Sequence, residues 1–384
     1  MTGTPILRNF LIAVIGLVIM INSASAQSGS SEVNPGYLTT AVPFLLISTD
    51  ARISAMGGTG VALLPQNGFA SLNVSSMAFA EGKSGFIVSY VPWLNKLTKD
   101  RKLMSVDGFI KLNKQNVIAA SLKYLSYGQF ELTGLDRQTN GVLNPNEFAF
   151  NVNYAKQFGP DFSLGTSLSY ISSNLYTVNG NYAQLHNGND IAIGISGFYQ
   201  KKTYLFNEPA NIGIGFSLDN VGPKMNYDNE SASAFYLPTN LRLGGSLVFE
   251  GKNEDQVRLA LDLSKLLVPS NSTVSFSPGQ ITNKSSVLAG MLNSFTDAPN
   301  GLREELQEIQ AAIGFEYSIK NKLALRTGYS YQNVNKGNDS YFAVGLGTKH
   351  RNFGIDIAYL VGNMTVTSFS NTLRLTLGYN FKGI

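Results

Sequence analysis

From Phe86 to its last residues the sequence repeats a two-residue alternation, in which apolar side chains keep one parity and small or polar side chains keep the other. In residues 162–170 the apolar positions include Leu164, Leu168 and Tyr170, and serine or glycine separates them from their neighbours. Successive side chains of a β-strand point to opposite faces, so each such segment has one apolar and one polar face. About fourteen repeats of roughly nine to eleven residues are typical of a transmembrane β-barrel.

The alternation therefore predicts an all-β, antiparallel barrel of about fourteen strands within residues 84–384. The predicted strands cover residues 84–92, 103–112, 117–127, 147–158, 162–173, 190–200, 210–219, 239–250, 256–264, 310–319, 322–331, 340–349, 352–360 and 372–382. Tight turns alternate with longer connections, and barrels of this class keep short turns in the periplasm and long loops outside the cell. Both termini are then expected to be periplasmic. The longest predicted loop, 265–309, includes Leu302, Leu306 and Ile309 at helical spacing.

The N-terminal residues predict export from the cytoplasm. Arg8 precedes an apolar run over residues 10–21, and the small residues Ala24 and Ala26 follow it, which is the pattern of a signal peptide over residues 1–26. Residues 27–83 do not alternate and are too apolar for a disordered tail. They are expected to form an N-terminal periplasmic or plug segment that folds into the lumen.

The composition argues against several functional classes. Only 14% of the residues are charged, against about a quarter in an ordinary soluble domain. The net charge of +4 is modest and scattered, which predicts no nucleic-acid partner. Cysteine is absent, and His186 and His350 are the two histidines, so the residues predict no catalytic site, no metal site and no cofactor. Residues 55–60 are rich in glycine but lack the lysine of a phosphate-binding loop.

Charged residues of both signs fall on the inward parity of the predicted strands. They are Asp107, Lys111, Lys123, Arg242, Arg258, Asp262, Glu316, Arg326, Asp356 and Arg374. Two interpretations remain open: structural ion pairs with one another or with the plug, and a polar track for a solute.

Residues 43–52 (PFLLISTDAR) and residues 55–62 (AMGGTGVA) carry a family resemblance. Together with residues 70–79 (ASLNVSSMAF) they resemble the N-terminal motif of the PorV (LptO) family, whose architecture is shared by PorQ proteins and FadL-type transporters. The resemblance implies a FadL-like barrel in the bacterial outer membrane.

The same resemblance implies a non-enzymatic shuttle of the type IX secretion system. Such a protein would dock beside the translocon barrel (Sov or SprA) and bind the C-terminal domain of cargo as the cargo leaves the translocon. It would then deliver the cargo to the PorU sortase attachment complex. Outer-membrane lipid would surround the barrel.

Large apolar side chains in the predicted loops are candidates for contact with cargo or translocon, because interface hot spots favour large rigid side chains. The candidates are Phe130, Phe235, Tyr236, Phe276, Phe295, Leu302 and Leu306. The alternative is that these residues only pack the loops against each other.

A second functional hypothesis is a FadL-like channel for hydrophobic small molecules. It needs an apolar pocket behind the plug, for which the candidate lining residues are Phe44, Leu45, Leu46 and Met56. Gly213 and Gly215 on the inward parity would leave space for such a pocket.

Overall fold

The computed structural model describes residues 38–65, 72–92, 101–133, 139–179, 182–227, 234–251, 254–270, 285–362 and 372–381. The predicted signal peptide, the first part of the predicted plug segment and Phe276 lie outside these ranges. Among the described residues, no helix is both long and apolar enough to span a bilayer.

Fourteen strands form one closed antiparallel barrel, in which β1 pairs with both β2 and the last strand, β18. The strands along the chain are β1 (Ser84–Pro92), β2 (Lys102–Lys111), β3 (Asn116–Ser126), β4 (Phe130–Thr133), β5 (Thr139–Leu143), β6 (Asn146–Phe158), β7 (Phe162–Asn179), β8 (Tyr182–Leu205), β9 (Glu208–Val221), β10 (Met225–Asn226), β11 (Ala234–Phe235), β12 (Asn240–Glu250), β13 (Gln256–Leu266), β14 (Gln310–Ile319), β15 (Leu323–Tyr331), β16 (Tyr341–His350), β17 (Phe353–Gly362) and β18 (Thr372–Phe381). The pairs β4–β5 and β10–β11 are separate two-stranded sheets, and the remaining strands build the barrel. The predicted fold and strand number are confirmed.

The alternation in sequence becomes an alternation in burial. Along β1, Phe86, Val88 and Tyr90 are exposed on the outer face, whereas Ile87 and Ser89 are buried on the inner face. An apolar outer face and closed backbone pairing satisfy the two requirements of a bilayer, because lipid offers no hydrogen-bond partners to an open sheet edge.

Two connections differ from the prediction. Residues 174–189, expected as a loop, are mostly strand, since β7 and β8 continue to pair as far as Asn179 and Tyr182. The expected turn over residues 201–209 contracts to Phe206 and Asn207, whose φ angles are both positive, at 54° and 65°. Two consecutive residues with positive φ match the twist of a tight hairpin, so these two residues alone connect β8 to β9.

The connections define two ends of the barrel. One end, called here the short-turn end, joins strands through residues 112–115, 159–161, 206–207, 251–255, 320–322 and 351–352. The opposite end, called here the long-loop end, includes the connection over residues 267–309. The described part of that connection contains two short helices, α2 (Val287–Asn293) and α3 (Leu302–Gln307). The predicted helical spacing is confirmed for Leu302 and Leu306, whereas Ile309 lies beyond the end of α3.

The N-terminal segment contains three short helical elements within its described residues, 38–65 and 72–83. They are a 3-10 helix at Pro43–Leu46, the α-helix α1 (Ala51–Ala55) and a 3-10 helix at Val74–Phe79. Asp50 caps α1 by accepting hydrogen bonds from the backbone N–H groups of Arg52 and Ile53, and Asn73 caps the last element through the N–H of Ser75.

Four apolar clusters pack the described part of this segment against the inward face of the barrel, and two of them lie near its ends. Near the long-loop end, Val42 and Phe44 are buried with Leu103 and Leu125 of the wall. Near the short-turn end, Met77 and other residues of the segment are buried with Phe109, Val117 and Ala155. The segment thus contacts the inner wall near both ends of the barrel. That it closes the lumen completely, as a plug would, remains a prediction.

Candidate functional site

The N-terminal segment approaches the barrel wall most closely at inward-facing glycines. A Cβ atom added to Gly215 would overlap the carbonyl oxygen of Val61 and lie 2.8 Å from its carbonyl carbon. A Cβ atom at Gly314 would lie 2.6 Å from the carbonyl oxygen of Met56, and one at Gly213 would lie 2.7 Å from that of Ala62. The interpretation that Gly213 and Gly215 leave space for a pocket is therefore wrong, because the backbone of the segment occupies that space.

Buried polar side chains attach the same stretch of the segment to the wall. Asp262 of β13 accepts hydrogen bonds from the N–H groups of Gly60 and Val61, at 2.7 and 2.9 Å. The Asn73 amide donates to the carbonyl oxygens of Val61 and Gly197, at 2.7 and 3.1 Å. These bonds satisfy backbone groups that lie far from water, where an unsatisfied group would cost about 1–3 kcal/mol.

A buried ion-pair network connects α1 to the wall. Glu316 of β14 is fully buried and pairs with Arg52 of α1 (Nε–Oε2, 3.0 Å), with Arg326 (Nε–Oε2, 2.6 Å) and with Arg258. Arg326 also pairs with Asp356, at 2.6 Å. The structural-ion-pair interpretation of the inward charges is confirmed for these residues, and one of their partners lies on the N-terminal segment.

A polar cavity of about 120 Å³ lies between the segment and the wall. Lys123 lines the cavity and donates to the carbonyl oxygens of Leu45 and Ile47, at 3.2 and 2.8 Å. Asp219 and Arg242 line it as an ion pair, with 3.1 Å between Oδ2 and Nη1. The cavity is thus suited to water and small polar groups.

The four candidate pocket residues do not line one apolar pocket. Phe44 is buried in the cluster near the long-loop end, whereas Met56 is buried in a separate cluster with Leu63. Leu45 and Leu46 are half-buried and line the polar cavity. The structure brings two of the four side chains to one cavity, whose lining also includes charged side chains.

At the long-loop end, a second ion-pair cluster holds α3 down onto the barrel. Lys265 at the end of β13 contacts Glu305 (3.0 Å) and Glu308 (2.5 Å). Lys336, in the connection between β15 and β16, contacts Glu304 (2.6 Å) and Glu308 (3.0 Å). All five side chains are buried, so the two connections are bound together by alternating charges.

The loop ion pairs shift the ionisation of their members. The hydrogen bond from Lys336 holds the pKa of the Glu304 carboxyl below its ordinary value, although burial acts in the opposite direction. Burial acts to lower the pKa of Lys336, but its hydrogen bonds to Glu304 and Glu308 outweigh burial and raise that pKa.

Acidification is expected to release α3 from the barrel. Because the folded-state pKa of Glu304 is lowered, its stabilising contribution is present above the ordinary glutamate pKa of about 4.3 and disappears as the pH falls through the lowered value. Hydrogen exchange of residues 301–309, corrected for intrinsic rates, measures this release, and Glu304→Gln is expected to weaken protection at neutral pH. Equal corrected protection at about pH 2 and pH 7 would contradict the expectation.

Both loop helices expose apolar side chains. On α2, Leu288 and Leu292 are 69% and 73% exposed, and on α3, Leu302 and Leu306 are 78% and 68% exposed. Residues four apart share one face of a helix, so each helix turns an apolar face outwards. We call these four residues the loop leucines. Exposed large apolar groups of this kind mark interaction sites more often than single scattered ones do.

Among the other predicted partner residues, Phe295 and Phe130 are also exposed, at 45% and 38%. The Arg101 guanidinium lies 5.8 Å from the centroid of the Phe130 ring. Phe295 follows α2 directly, so it lies near the loop leucines in sequence.

The structure places Phe235 and Tyr236 differently. Phe235 is half-buried, with its ring 6.3 Å from that of Tyr227. Tyr236 is buried, and its hydroxyl donates to the carbonyl oxygen of Ser285, at 2.9 Å. Tyr236 therefore joins two loops, whereas Phe235 packs within its own loop, and the predicted contact of both residues with a partner remains a prediction.

The described part of the chain gives little support for a metal site. No group of three or more histidine, cysteine, aspartate or glutamate side chains there is arranged to hold a metal ion. The two features that distinguish this barrel are its attached inner segment and its exposed loop leucines. The inward parity of the strands marks the wall members of the ion pairs, such as Glu316 and Arg326, but no local pattern marks their partner Arg52 or the close glycine contacts.

The closed barrel with its apolar outer face defines the protein as an outer-membrane β-barrel protein. Residues 30–273 match the family described as "Type IX secretion system protein PorV". The match covers well over half of the 384 residues, so the chain belongs to the PorV family and the predicted resemblance is confirmed. A search of curated proteins gave no match.

Solved outer-membrane barrels share the fold at low sequence identity. The CymD monoaromatic hydrocarbon channel has a TM-score of 0.51 and 10% identity, over 88% of this chain and 99% of that one. The Pseudomonas putida toluene transporter TodX has a TM-score of 0.48 and 14% identity, over 85% and 95% of the two chains. A Pseudomonas aeruginosa FadL homologue has a TM-score of 0.43 and 10% identity, over 88% and 99%. The similarity to CymD supports a FadL-like fold.

Proposed function

We propose that this protein is a non-enzymatic shuttle of the type IX secretion system. It binds the C-terminal domain of secreted cargo as the cargo leaves the translocon barrel and delivers it to the sortase attachment complex. Membership of the PorV family gives the secretion system, and the loop leucines are the observation that carries the shuttle role. Their apolar surface lies at the long-loop end, which the barrel rule places outside the cell.

The interior favours a binding role over a channel. The N-terminal segment fills the space beside the wall glycines, and the cavity beside Leu45 and Leu46 is about 120 Å³ in volume and includes charged side chains in its lining. A hydrophobic solute gains little in a cavity lined by Lys123, Asp219 and Arg242, because it would displace water from these charged groups and offer them no hydrogen bond in return. The channel for hydrophobic small molecules therefore remains the weaker hypothesis.

The combined substitution Leu302→Asp and Leu306→Asp is expected to block secretion of cargo without unfolding the barrel. Both side chains are exposed, so the charges cost little stability, whereas the loss of central interface contacts costs about 2 kcal/mol or more at each hot spot. We expect the amount of cargo on the cell surface and in the medium to fall by about tenfold or more. Quantification of cargo in periplasmic and surface fractions of a complemented deletion strain measures the effect.

Leu112→Asp is the matched control, because Leu112 is 57% exposed at the opposite, short-turn end. It should leave secretion unchanged. If the double variant secreted cargo normally while its folded amount matched the wild type, the loop leucines would have no part in cargo transfer.

A further inference from the structure

The path of the N-terminal segment through the barrel can be followed from its hydrogen bonds at each end. The N–H of Ala41 donates to the carbonyl oxygen of Tyr236, at 2.9 Å. Tyr236 belongs to the connection between β9 and β12, which lies at the long-loop end. The first described residues of the chain are therefore at this end of the barrel.

The burial of the next residues gives the same position. Val42 and Phe44 pack in one cluster with Val91, near the end of β1, and with Leu103, near the start of β2. The connection from β1 to β2 belongs to the long-loop end. These contacts therefore place Val42 and Phe44 at that end independently of the hydrogen bond to Tyr236.

The other end of the segment lies at the opposite side of the membrane. The N–H of Lys83 donates to the carbonyl oxygen of Phe381, at 3.3 Å, and the carbonyl oxygen of Lys83 accepts from the N–H of Lys111, at 2.8 Å. Lys111 ends β2 and precedes a tight turn, so Lys83 lies at the short-turn end. Between Ala41 and Lys83 the segment contacts the inner wall at Gly215, Gly314 and the Glu316 network.

We infer that the N-terminal segment crosses the outer membrane inside its own barrel and presents Leu38–Thr40 at the cell surface. Short turns face the periplasm in barrels of this class, so the long-loop end faces outwards. The last described residue, Phe381, stays on the periplasmic side with the turns. This inference concerns the first described residues, which it places on the side opposite to the periplasmic N-terminus expected from the sequence, and it does not depend on the shuttle role.

The cysteine-free sequence allows a direct test by labelling single cysteines on intact cells. Thr39 is exposed, and Thr39→Cys adds a thiol of similar size there. Arg303→Cys on α3 reports the long-loop end, and Lys114→Cys in the turn after β2 reports the short-turn end. Each variant is treated with a membrane-impermeant maleimide before and after lysis.

The expected result is labelling of Thr39→Cys and Arg303→Cys on intact cells, and of Lys114→Cys after lysis only. Labelling of Thr39→Cys only after lysis, together with surface labelling of Arg303→Cys, would overturn the inference. So would labelling of Thr39→Cys only after denaturation, because residue 39 would then be inaccessible from either side. Surface labelling of Lys114→Cys in place of Arg303→Cys would overturn the assignment of the two ends.

Discussion

Replacing Gly215 by valine is expected to prevent the N-terminal segment from packing against the wall. A Cβ atom there would overlap the Val61 carbonyl group and lie 2.9 Å from the side-chain nitrogen Nδ2 of Asn73. The obstructing atoms include backbone, which cannot move aside as a flexible side chain can. Overpacking in a well-filled core typically costs about 1–3 kcal/mol, and we expect the upper end of that range or more. The denaturation midpoint of the purified barrel, followed by its heat-dependent mobility on gels, measures the loss.

Gly245→Val is the matched control for this prediction. Gly245 lies on the neighbouring strand β12, and a Cβ atom added to it meets no atom within 4 Å. The same substitution there should leave the midpoint close to that of the wild type. Equal midpoints for the Gly215 and Gly245 variants would show that the segment does not pack as described.

Glu316→Gln is expected to destabilise the attachment of α1 strongly. The substitution leaves Arg52 and Arg258 buried without their anionic partner, while Arg326 keeps Asp356. Removing one partner of a buried ion pair typically costs about 3–5 kcal/mol, because the remaining charges stay desolvated. The free energy of unfolding in urea, from folded barrel in detergent micelles, measures the effect.

Glu250→Gln gives the comparison for that measurement, because Glu250 is exposed at the end of β12. Surface charge pairs contribute about 0–1 kcal/mol at most, so the control should unfold like the wild type. A loss below about 1 kcal/mol for Glu316→Gln would mean that its network does not hold the segment.

The barrel could be predicted from sequence because its strands obey one local rule. In β1 the outward Phe86 and Tyr90 lie at even positions and the inward Ser89 at an odd one, so their parity is visible without any knowledge of contacts. The rule fails where both faces of a strand meet water. The paired ends of β7 and β8 carry polar residues such as Asn174 and Asn187 on the ladder, and their alternation is too weak to distinguish strand from loop.

The interior of the barrel could not be predicted in the same way. Gly215 shows that a small side chain faces inwards, but not that the Val61 carbonyl group lies against it, because residues 38–65 have no periodicity to align with the wall. Lys265 and Lys336 lie 40 and 32 residues from their partners Glu305 and Glu304, so no spacing marks their ion pairs. Those contacts come from the closed barrel, which brings distant connections together at one end.

Two of the four loop leucines, Leu302 and Leu306, are predicted from the sequence, whereas Leu288 and Leu292 are not. Leu302 and Leu306 are four residues apart in a segment too long to be a simple connection, and the structure places both on the exposed face of α3. Both leucine side chains are therefore accessible to a partner, whereas Tyr236, another of the candidates, is buried and its hydroxyl bonds to Ser285.

The central proposal is tested most directly by purifying the tagged protein from native outer membranes and identifying its partners by mass spectrometry. We expect the wild type to co-purify with a very large translocon barrel and with proteins that share one C-terminal β-domain, and the combined variant Leu302→Asp and Leu306→Asp to lose the cargo. Recovery of the wild-type barrel alone, with fatty-acid-like molecules in its lumen, would contradict the shuttle role and favour the channel.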